Sequence, residues 1–317
     1  MEVIASARNP LLKDVRRAVA SGSATPSGLL VAEGFHLLDE ALRSGSEIEA
    51  VLVSEHAREG LESRRDGAGA LRTIVLNDAL FRSVASTEAT QGVITLVRPP
   101  RWTLEQIVSG DTLALVLDRV QDPGNAGAML RACEAFGGTG AVFLKGSVDP
   151  YNPKCLRASA GSIFRLPLVS APDHSALLDA IRIRGLTLYA LTPGEGSILA
   201  ACDLARPCVI VIGSESHGVS PELCTVACAL RIPTTAVESL NAAMAASVAL
   251  YEAARQRMGH QCVSLYRILW RPPGTTPSVH SPNACAPPAW RTSLARNIFW
   301  APGNRCALRS SGMSSAP

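Results

Sequence analysis

Apolar residues in this chain fall in short unbroken runs, each followed by a more polar stretch of helical length. Over residues 111–258 the runs lie at 113–117, 141–144, 186–191, 209–212 and 229–232. A strand with one wet face alternates apolar and polar residues, whereas a continuous apolar run is covered on both faces. The five runs therefore predict a parallel sheet with helices on either side. The intervening stretches 126–136, 153–158, 175–184 and 240–257 supply those helices. Residues 29–97 repeat the alternation on a smaller scale, with strands at 29–32, 48–53, 71–75 and 93–97 and helices at 35–43 and 78–85. Asn9-Pro10 reads as an N-cap followed by proline in the first helical position, which starts a short helix ending near residue 20.

The breaks in the pattern set the domain boundaries. Residues 21–28 are rich in Ser, Gly and Pro, and Arg98-Pro-Pro-Arg-Trp102 interrupts the second alternation. The chain divides into an N-terminal helix (1–20), a small α/β domain (28–98), a linker (99–110) and a larger α/β domain (111–258). Residues 259–317 differ in kind. They hold eight of the 21 prolines and three of the four tryptophans, with no lysine and no acid. No helical or strand period survives there, so this stretch reads as disordered. It has the composition of a frameshifted or read-through extension rather than of an RNA-binding arm.

Charge changes the picture once it is located. The whole chain carries +3, but six arginines and no acid lie beyond Met258, so residues 1–258 carry −3. A polyanionic partner must then be met by local basic patches, not by a whole-molecule field. No apolar run approaches the roughly 18 residues of a membrane span, and no secretory h-region follows the N-terminal basic residues. The nine cysteines form no C-x-x-C pair; Cys224 and Cys228 read as small core residues of a reducing, cytoplasmic compartment. No metal site is expected.

Three segments carry the chemistry: Asp122-Pro-Gly-Asn125-Ala-Gly127-Ala-Met-Leu-Arg131, Ile210-Val-Ile212-Gly213-Ser-Glu215-Ser-His217-Gly218, and Ile232-Pro through Ser239-Leu240-Asn241. Each sits where a strand gives way to a loop or helix, the place where backbone N–H groups converge on ligands. Pro123-Gly124-Asn125 reads as a tight turn, Gly127 as a close helix contact, and Ser239 as the N-cap of an Ala-rich helix. A buried Glu215 needs a partner; Arg131, one helical turn beyond Gly127, would supply an ion pair.

Taken together, the segments resemble the three signature motifs of the SpoU (TrmH) family of RNA ribose 2′-O-methyltransferases, of the knotted SPOUT class. The resemblance implies a C-terminal parallel-sheet domain with a deep trefoil knot. It implies Asn125, Arg131, Glu215, Ser239 and Asn241 as catalytic-site residues. It implies S-adenosyl-L-methionine as cofactor, held at Thr192, Gly194, Ile212, Gly213, Ile232 and Leu240. It also implies a homodimer through the knotted domain. One departure is the stretch after Ser-Leu-Asn, which is Ala-Ala-Met-Ala-Ala where the family usually has Val-Ser/Ala-Val-Ala.

The likeness extends further, over about residues 5–258. Tyr151-Asn-Pro-Lys154 with Arg157-Ala-Ser-Ala-Gly161-Ser-Ile-Phe-Arg165-Leu-Pro167 resembles the segment between motifs one and two in ribosomal-RNA members. Lys154, Arg157 and Arg165 are candidates for phosphate contacts. Val31-Ala-Glu33-Gly34 and Gln91-Gly92-Val93 resemble the family's ribosomal-protein-like RNA-binding domain, which adds Glu33 to the RNA-binding set. Ribosomal RNA, 23S in particular, is favoured over transfer RNA.

In such a reaction the departing thioether is neutral, so the burden falls on the 2′-hydroxyl. Arginine is a poor base; Arg131 suits orienting the substrate and stabilising the developing alkoxide. Two other readings are weighed. A non-catalytic RNA-binding relative would have a damaged motif, and none of the five residues is missing. A dinucleotide enzyme would carry G-x-G-x-x-G after a first strand, and Gly194-Glu-Gly196 lacks the third glycine.

Overall fold

The computed structural model describes residues 2–63, 71–194 and 196–269. The first part of the chain runs β1 (Glu2–Val3), α1 (Pro10–Ser21), β2 (Leu30–Glu33), α2 (Phe35–Arg43), β3 (Glu47–Ser54), α3 (Arg58–Glu62), β4 (Thr73–Leu76), α4 (Asp78–Arg82) and β5 (Val93–Arg98). Its five strands form one sheet in the order β1-β4-β3-β5-β2. The β5 pairings with β2 and β3 are antiparallel, and the others parallel. Helix α1 begins as its sequence predicts, with the Asn9 side chain accepting from the Leu11 N–H at 2.9 Å.

The second part runs α5 (Leu104–Ile107), β6 (Leu113–Asp118), α6 (Pro123–Ala135), β7 (Gly140–Phe143), α7 (Pro153–Ser159), β8 (Leu168–Ser170), α8 (His174–Arg184), β9 (Thr187–Leu191), β10 (Ser197–Ile198), β11 (Cys208–Gly213), α9 (Pro221–Cys224), β12 (Cys228–Arg231) and α10 (Ala242–Leu269). Its strands form one sheet in the order β10-β12-β9-β11-β6-β7-β8, with every pairing parallel. The continuous apolar runs have the expected cause. In β6, Leu113, Leu115 and Leu117 enter one core with α6, α7 and α10, while Ala114 and Val116 enter another with α5 and α8. A half turn of the chain alternates the faces, and both faces are dry.

The first of these cores also takes in Leu30, Ala32, Leu37 and Val97, so the two sheets share apolar contacts. Close packing beneath motif one depends on Gly127. A Cβ there would lie 2.4 Å from the Cys155 carbonyl oxygen and 2.6 Å from the Ala158 side chain, so α6 and α7 meet backbone to backbone. Arg257 on α10 donates to the carbonyls of Asp111, Thr112, Leu204 and Arg206 at 3.1, 2.8, 3.2 and 2.9 Å, tying that helix to the start of β6.

Four expectations are corrected. The 99–110 linker contains α5, started by a capping box between Thr103 and Gln106. Residues 123–125 are not a turn but the first turn of α6, with Asp122 as its N-cap. Helix α10 continues through Leu269, beyond residue 257 where the sequence pattern ends it; propagation is cheap once a helix is formed, and proline first returns at Pro272. Cys224 and Cys228 are exposed rather than core residues, because α9 is a single turn and β12 buries only Leu230. The reading of residues 270–317 lies outside the described residues. Among those described, no helix is long and apolar enough to cross a membrane.

Candidate active site

Strands β12, β9, β11 and β6 are neighbours in that order and all parallel, so their carboxyl ends share one edge of the sheet. Four loops leave that edge, and two adjoining cavities lie among them. The larger, about 640 Å³, is lined by Thr192, Gly194, Ile212, Gly213, Ile232 and Leu240, the six residues anticipated for a cofactor. The smaller, about 410 Å³, is lined by Arg119, Gln121, Asp122, Asn125 and Gly146. Residues 213–217 and Ala242 line both. The wall between the cavities is tight: a Cβ on Gly213 would sit 2.0 Å from the Gly218 carbonyl carbon, so only glycine closes this loop.

At the junction, one residue from each motif joins a single hydrogen-bonded cluster. The Asn241 Oδ1 accepts from the Ala243 and Met244 N–H groups at 2.9 and 3.3 Å, which makes Asn241 the N-cap of α10. That contact fixes the orientation of its amide. Its Nδ2 must point away from the helix, and it donates to Asn125 Oδ1 at 3.1 Å and to Glu215 Oε1 at 3.3 Å. Asn125 then has its own Nδ2 left over, and it donates to the same Glu215 oxygen at 2.6 Å. The Asn125 backbone N–H donates to Asp122 Oδ1 at 2.7 Å. That bond, helped by Lys154 against burial, holds the Asp122 carboxyl below its ordinary value.

The remaining residues fall differently from expectation. Glu215 is exposed and pairs with two amides, so the Arg131–Glu215 ion pair does not form. Arg131 is exposed and makes no ion pair among the described residues, which leaves its cation available. Ser239 lines the larger cavity but caps nothing, since Asn241 holds that position. His217 lines both cavities and contacts Ser216 Oγ through Nδ1 at 2.7 Å.

Of the candidate RNA contacts, Lys154 pairs with Asp122 at 3.2 Å. Arg157 donates to Ser86 Oγ at 2.5 Å. Arg165 bridges Glu134 and Glu40 at 2.5 and 2.6 Å. Glu33 is 5% exposed and its carboxylate accepts from the Ser86 N–H, the Ser86 hydroxyl and the Thr87 hydroxyl, so it braces a loop instead of facing outward. Arg165 also sets the charge of its partners. Its hydrogen bond holds Glu134 below the ordinary value, and together with Arg43 it outweighs the upward push of burial on Glu40.

Two residues at this edge carry no signal in the sequence. Asp118, at the end of β6, is fully buried and accepts from the Ser220 N–H at 2.5 Å, with His174 Nε2 at 4.0 Å. Arg119 follows with φ +58°, a left-handed backbone that costs a non-glycine residue about 1–2 kcal/mol. Nothing in Leu117-Asp-Arg119-Val announces that turn.

Known proteins resemble this chain along both of its α/β parts. The SpoU rRNA Methylase family matches residues 112–251, and an MRM3-like substrate binding domain matches residues 12–95. An uncharacterised tRNA/rRNA methyltransferase of Synechocystis is 35% identical over 259 residues, covering 80% of this chain and 94% of its own length. The 23S rRNA (guanosine(2553)-2′-O)-methyltransferase RlmP of Bacillus subtilis is 29% identical, covering 79% of this chain and 98% of its own. The crystal structure of the SpoU methyltransferase AviRb from Streptomyces viridochromogenes, in complex with AdoMet, superposes with a TM-score of 0.69 at 28% identity, covering 79% of this chain and 99% of its own.

Proposed function

This chain belongs to the SpoU rRNA methylase family, and on that premise we propose that it methylates a ribose 2′-hydroxyl of ribosomal RNA, using S-adenosyl-L-methionine. The single observation that carries the reading is the Asn125–Glu215–Asn241 cluster at the junction of two cavities, with one member from each motif. The names of relatives that act on 23S ribosomal RNA support that molecule as substrate.

The larger cavity suits the cofactor. Its volume lies within the roughly 300–1,000 Å³ of small-molecule sites. Ile212, Ile232 and Leu240 offer apolar walls to an adenine ring. A Cβ on Gly194 would meet no protein atom, so bare backbone borders the cavity there. Bound in that cavity, the cofactor supplies a methyl group on a sulfonium that leaves as a neutral thioether. The chain's task is then to hold the 2′-hydroxyl in line and relieve its growing charge. Asn125, held from behind by the capping Asn241, would border the ribose in the smaller cavity. Glu215 keeps both amides in one orientation. Arg131, unpaired and cationic, lines neither cavity of this chain; its part in stabilising the developing alkoxide rests on the family resemblance. The exposed Glu215 keeps this end of the cavity open to solvent, which would take up the hydroxyl proton. Ser239 lines the cofactor side.

Residues 28–98 serve RNA binding and 111–258 methyl transfer. The knotted path expected of the class would pass through 232–241 into α10, and α10 would mediate a homodimer. Its outer side carries Met244, Val248, Tyr251 and Met258, 40–59% exposed and at helical spacing, with Tyr251 edge-on to Phe136 at 5.7 Å. An apolar stripe of this kind marks an interface, and sedimentation as a monomer at micromolar concentration would remove the dimer from the proposal.

The decisive experiment is tritiated-methyl transfer to unmodified 23S, 16S and transfer RNA, run beside Arg131→Ala. Label in 23S RNA at one alkali-resistant linkage, lost with Arg131→Ala, is the expected result. A folded protein that binds no S-adenosyl-L-methionine would overturn the reading.

A further inference from the structure

The smaller cavity contains one strong cation whose placement has a cost. Among the described residues, Arg119 is the sole lysine or arginine lining it, against the carboxylates of Asp122 and Glu215. Asp122 is already engaged by Lys154 and by the Asn125 N–H. Any RNA that enters brings phosphates, which two carboxylates alone would repel.

Arg119 is held there from three sides. Its Nε lies 3.5 Å from Oδ1 of the fully buried Asp118, without hydrogen-bond geometry. One Nη reaches the Gly218 carbonyl at 3.5 Å, on the loop that carries Glu215. Gly146 gives the side chain its room, because a Cβ there would come within 3.3 Å of Arg119 Cγ. The other Nη has no partner among the described residues. Asp118 accepts from the Ser220 N–H through Oδ2, while its Oδ1 faces Arg119 Nε and His174 without a hydrogen bond to either, and a glycine would adopt φ +58° without strain. Strain that persists at a cavity wall points to what the side chain does in the cavity.

We propose that Arg119 is a phosphate-binding residue, gripping the RNA backbone phosphate that flanks the target nucleotide. The left-handed turn after β6 aims it into the smaller cavity. The proposal rests on the reading of this chain as an RNA methyltransferase. Because the same guanidinium touches the Gly218 carbonyl, a phosphate on Arg119 also reports its presence to the Glu215 loop.

The test compares wild type, Arg119→Gly and Arg119→Lys in binding a transcript of unmodified 23S ribosomal RNA across a salt series. S-adenosyl-L-methionine affinity and thermal melting are measured alongside. Arg119→Gly should bind the cofactor normally; it gains from relief of the backbone strain and loses the cation facing Asp118. It should bind RNA about tenfold more weakly, with the slope of log affinity against log salt smaller by about one. Arg119→Lys should recover most of the RNA affinity. Should Arg119→Gly be unstable, adding Asp118→Asn removes the unpaired buried charge, and the RNA comparison is made in that background. Unchanged RNA affinity and salt slope in a folded glycine variant would overturn the proposal, as would a loss confined to cofactor binding. The wild-type arm separates the two levels. A wild type that neither binds nor methylates RNA ends the functional reading, whereas an active wild type with indifferent Arg119 variants ends this inference alone.

Discussion

The carboxylate of Glu215 and that of Glu33 each collect donors from a distant part of the chain, yet one stands in solvent and the other is 5% exposed. Glu215 takes two amide N–H groups, from Asn125 and Asn241, at the carboxyl edge of the parallel sheet. Glu33 takes one backbone N–H and two hydroxyls from residues 86–87, and Arg157 from α7 closes on Ser86. Both clusters answer the demand that a polar group find partners. They answer it at different cost. A buried carboxylate without its donors is heavily penalised, while an exposed one falls back on water. The buried cluster is therefore architecture, and the exposed one, which stability does not require, is where function is to be sought.

The sharpest way to break that comparison is to delete the two carboxylates separately. Glu215→Ala should lower methyl transfer by about a hundredfold or more, the scale seen when one preorganised polar group is lost from a site. Its melting temperature should stay within about 2 °C of wild type, because an exposed pair contributes little. Initial rates with 23S RNA and a thermal melt on the same preparation decide it. A melting loss as large as that of a core variant would place Glu215 with the architecture.

Glu33→Ala should do the reverse. Its donors are left unsatisfied in a dry site, at a cost of about 1–3 kcal/mol, which lowers the melting temperature of a domain of this size by about 3–10 °C. Methyl transfer per folded molecule should hold. Loss of RNA binding without loss of stability would return Glu33 to the RNA-facing role that the sequence suggests.

A smaller effect is expected where Arg165 bridges Glu40 of α2 and Glu134 of α6. Glu40 and Glu134 are both held below the ordinary 4.5 of a free glutamate. A lowered value means that the stabilisation is complete above 4.5 and is lost as the pH falls through the folded-state values. The wild-type melting temperature should therefore fall more steeply than that of Arg165→Ala between about pH 5 and 3. At neutral pH the same substitution should cost about 1 kcal/mol or less, since the guanidinium is 36% exposed. Parallel pH profiles for the two proteins would show that Arg165 does not couple α2 to α6.

Much of this molecule is written along the chain, and the unwritten part has a common cause. The apolar runs place the strands because a doubly covered strand must be apolar throughout. The glycine at 127 is readable as a close contact, and the three motifs are readable as strand ends. What a linear reading cannot hold is lateral order. β12 lies beside β9, and β9 beside β11, neither pair consecutive in the chain. Without that order the partner of Glu215 looks like Arg131, a cation at plausible spacing, when it is a pair of amides brought in by neighbouring strands. The same blindness misplaces Glu33, whose burial depends on how residues 86–87 fold back. It also hides Arg119, whose left-handed backbone no residue type announces.

The smallest expected effect concerns the start of α10, where two candidate caps lie two residues apart. Ser239 is the residue type that caps helices, but its side chain makes no hydrogen bond among the described residues, while Asn241 accepts from two helical N–H groups. Ser239→Ala should therefore leave the melting temperature within error, although it caps in the sequence pattern. Asn241→Ala should cost about 1 kcal/mol. Asn241→Ser separates the two duties of that residue. A serine oxygen still caps the helix, so stability should return, but no Nδ2 remains for Asn125 and Glu215, so methyl transfer should stay low. Recovery of stability and activity together in Asn241→Ser would mean that the cap alone matters and that the three-motif cluster is incidental to it.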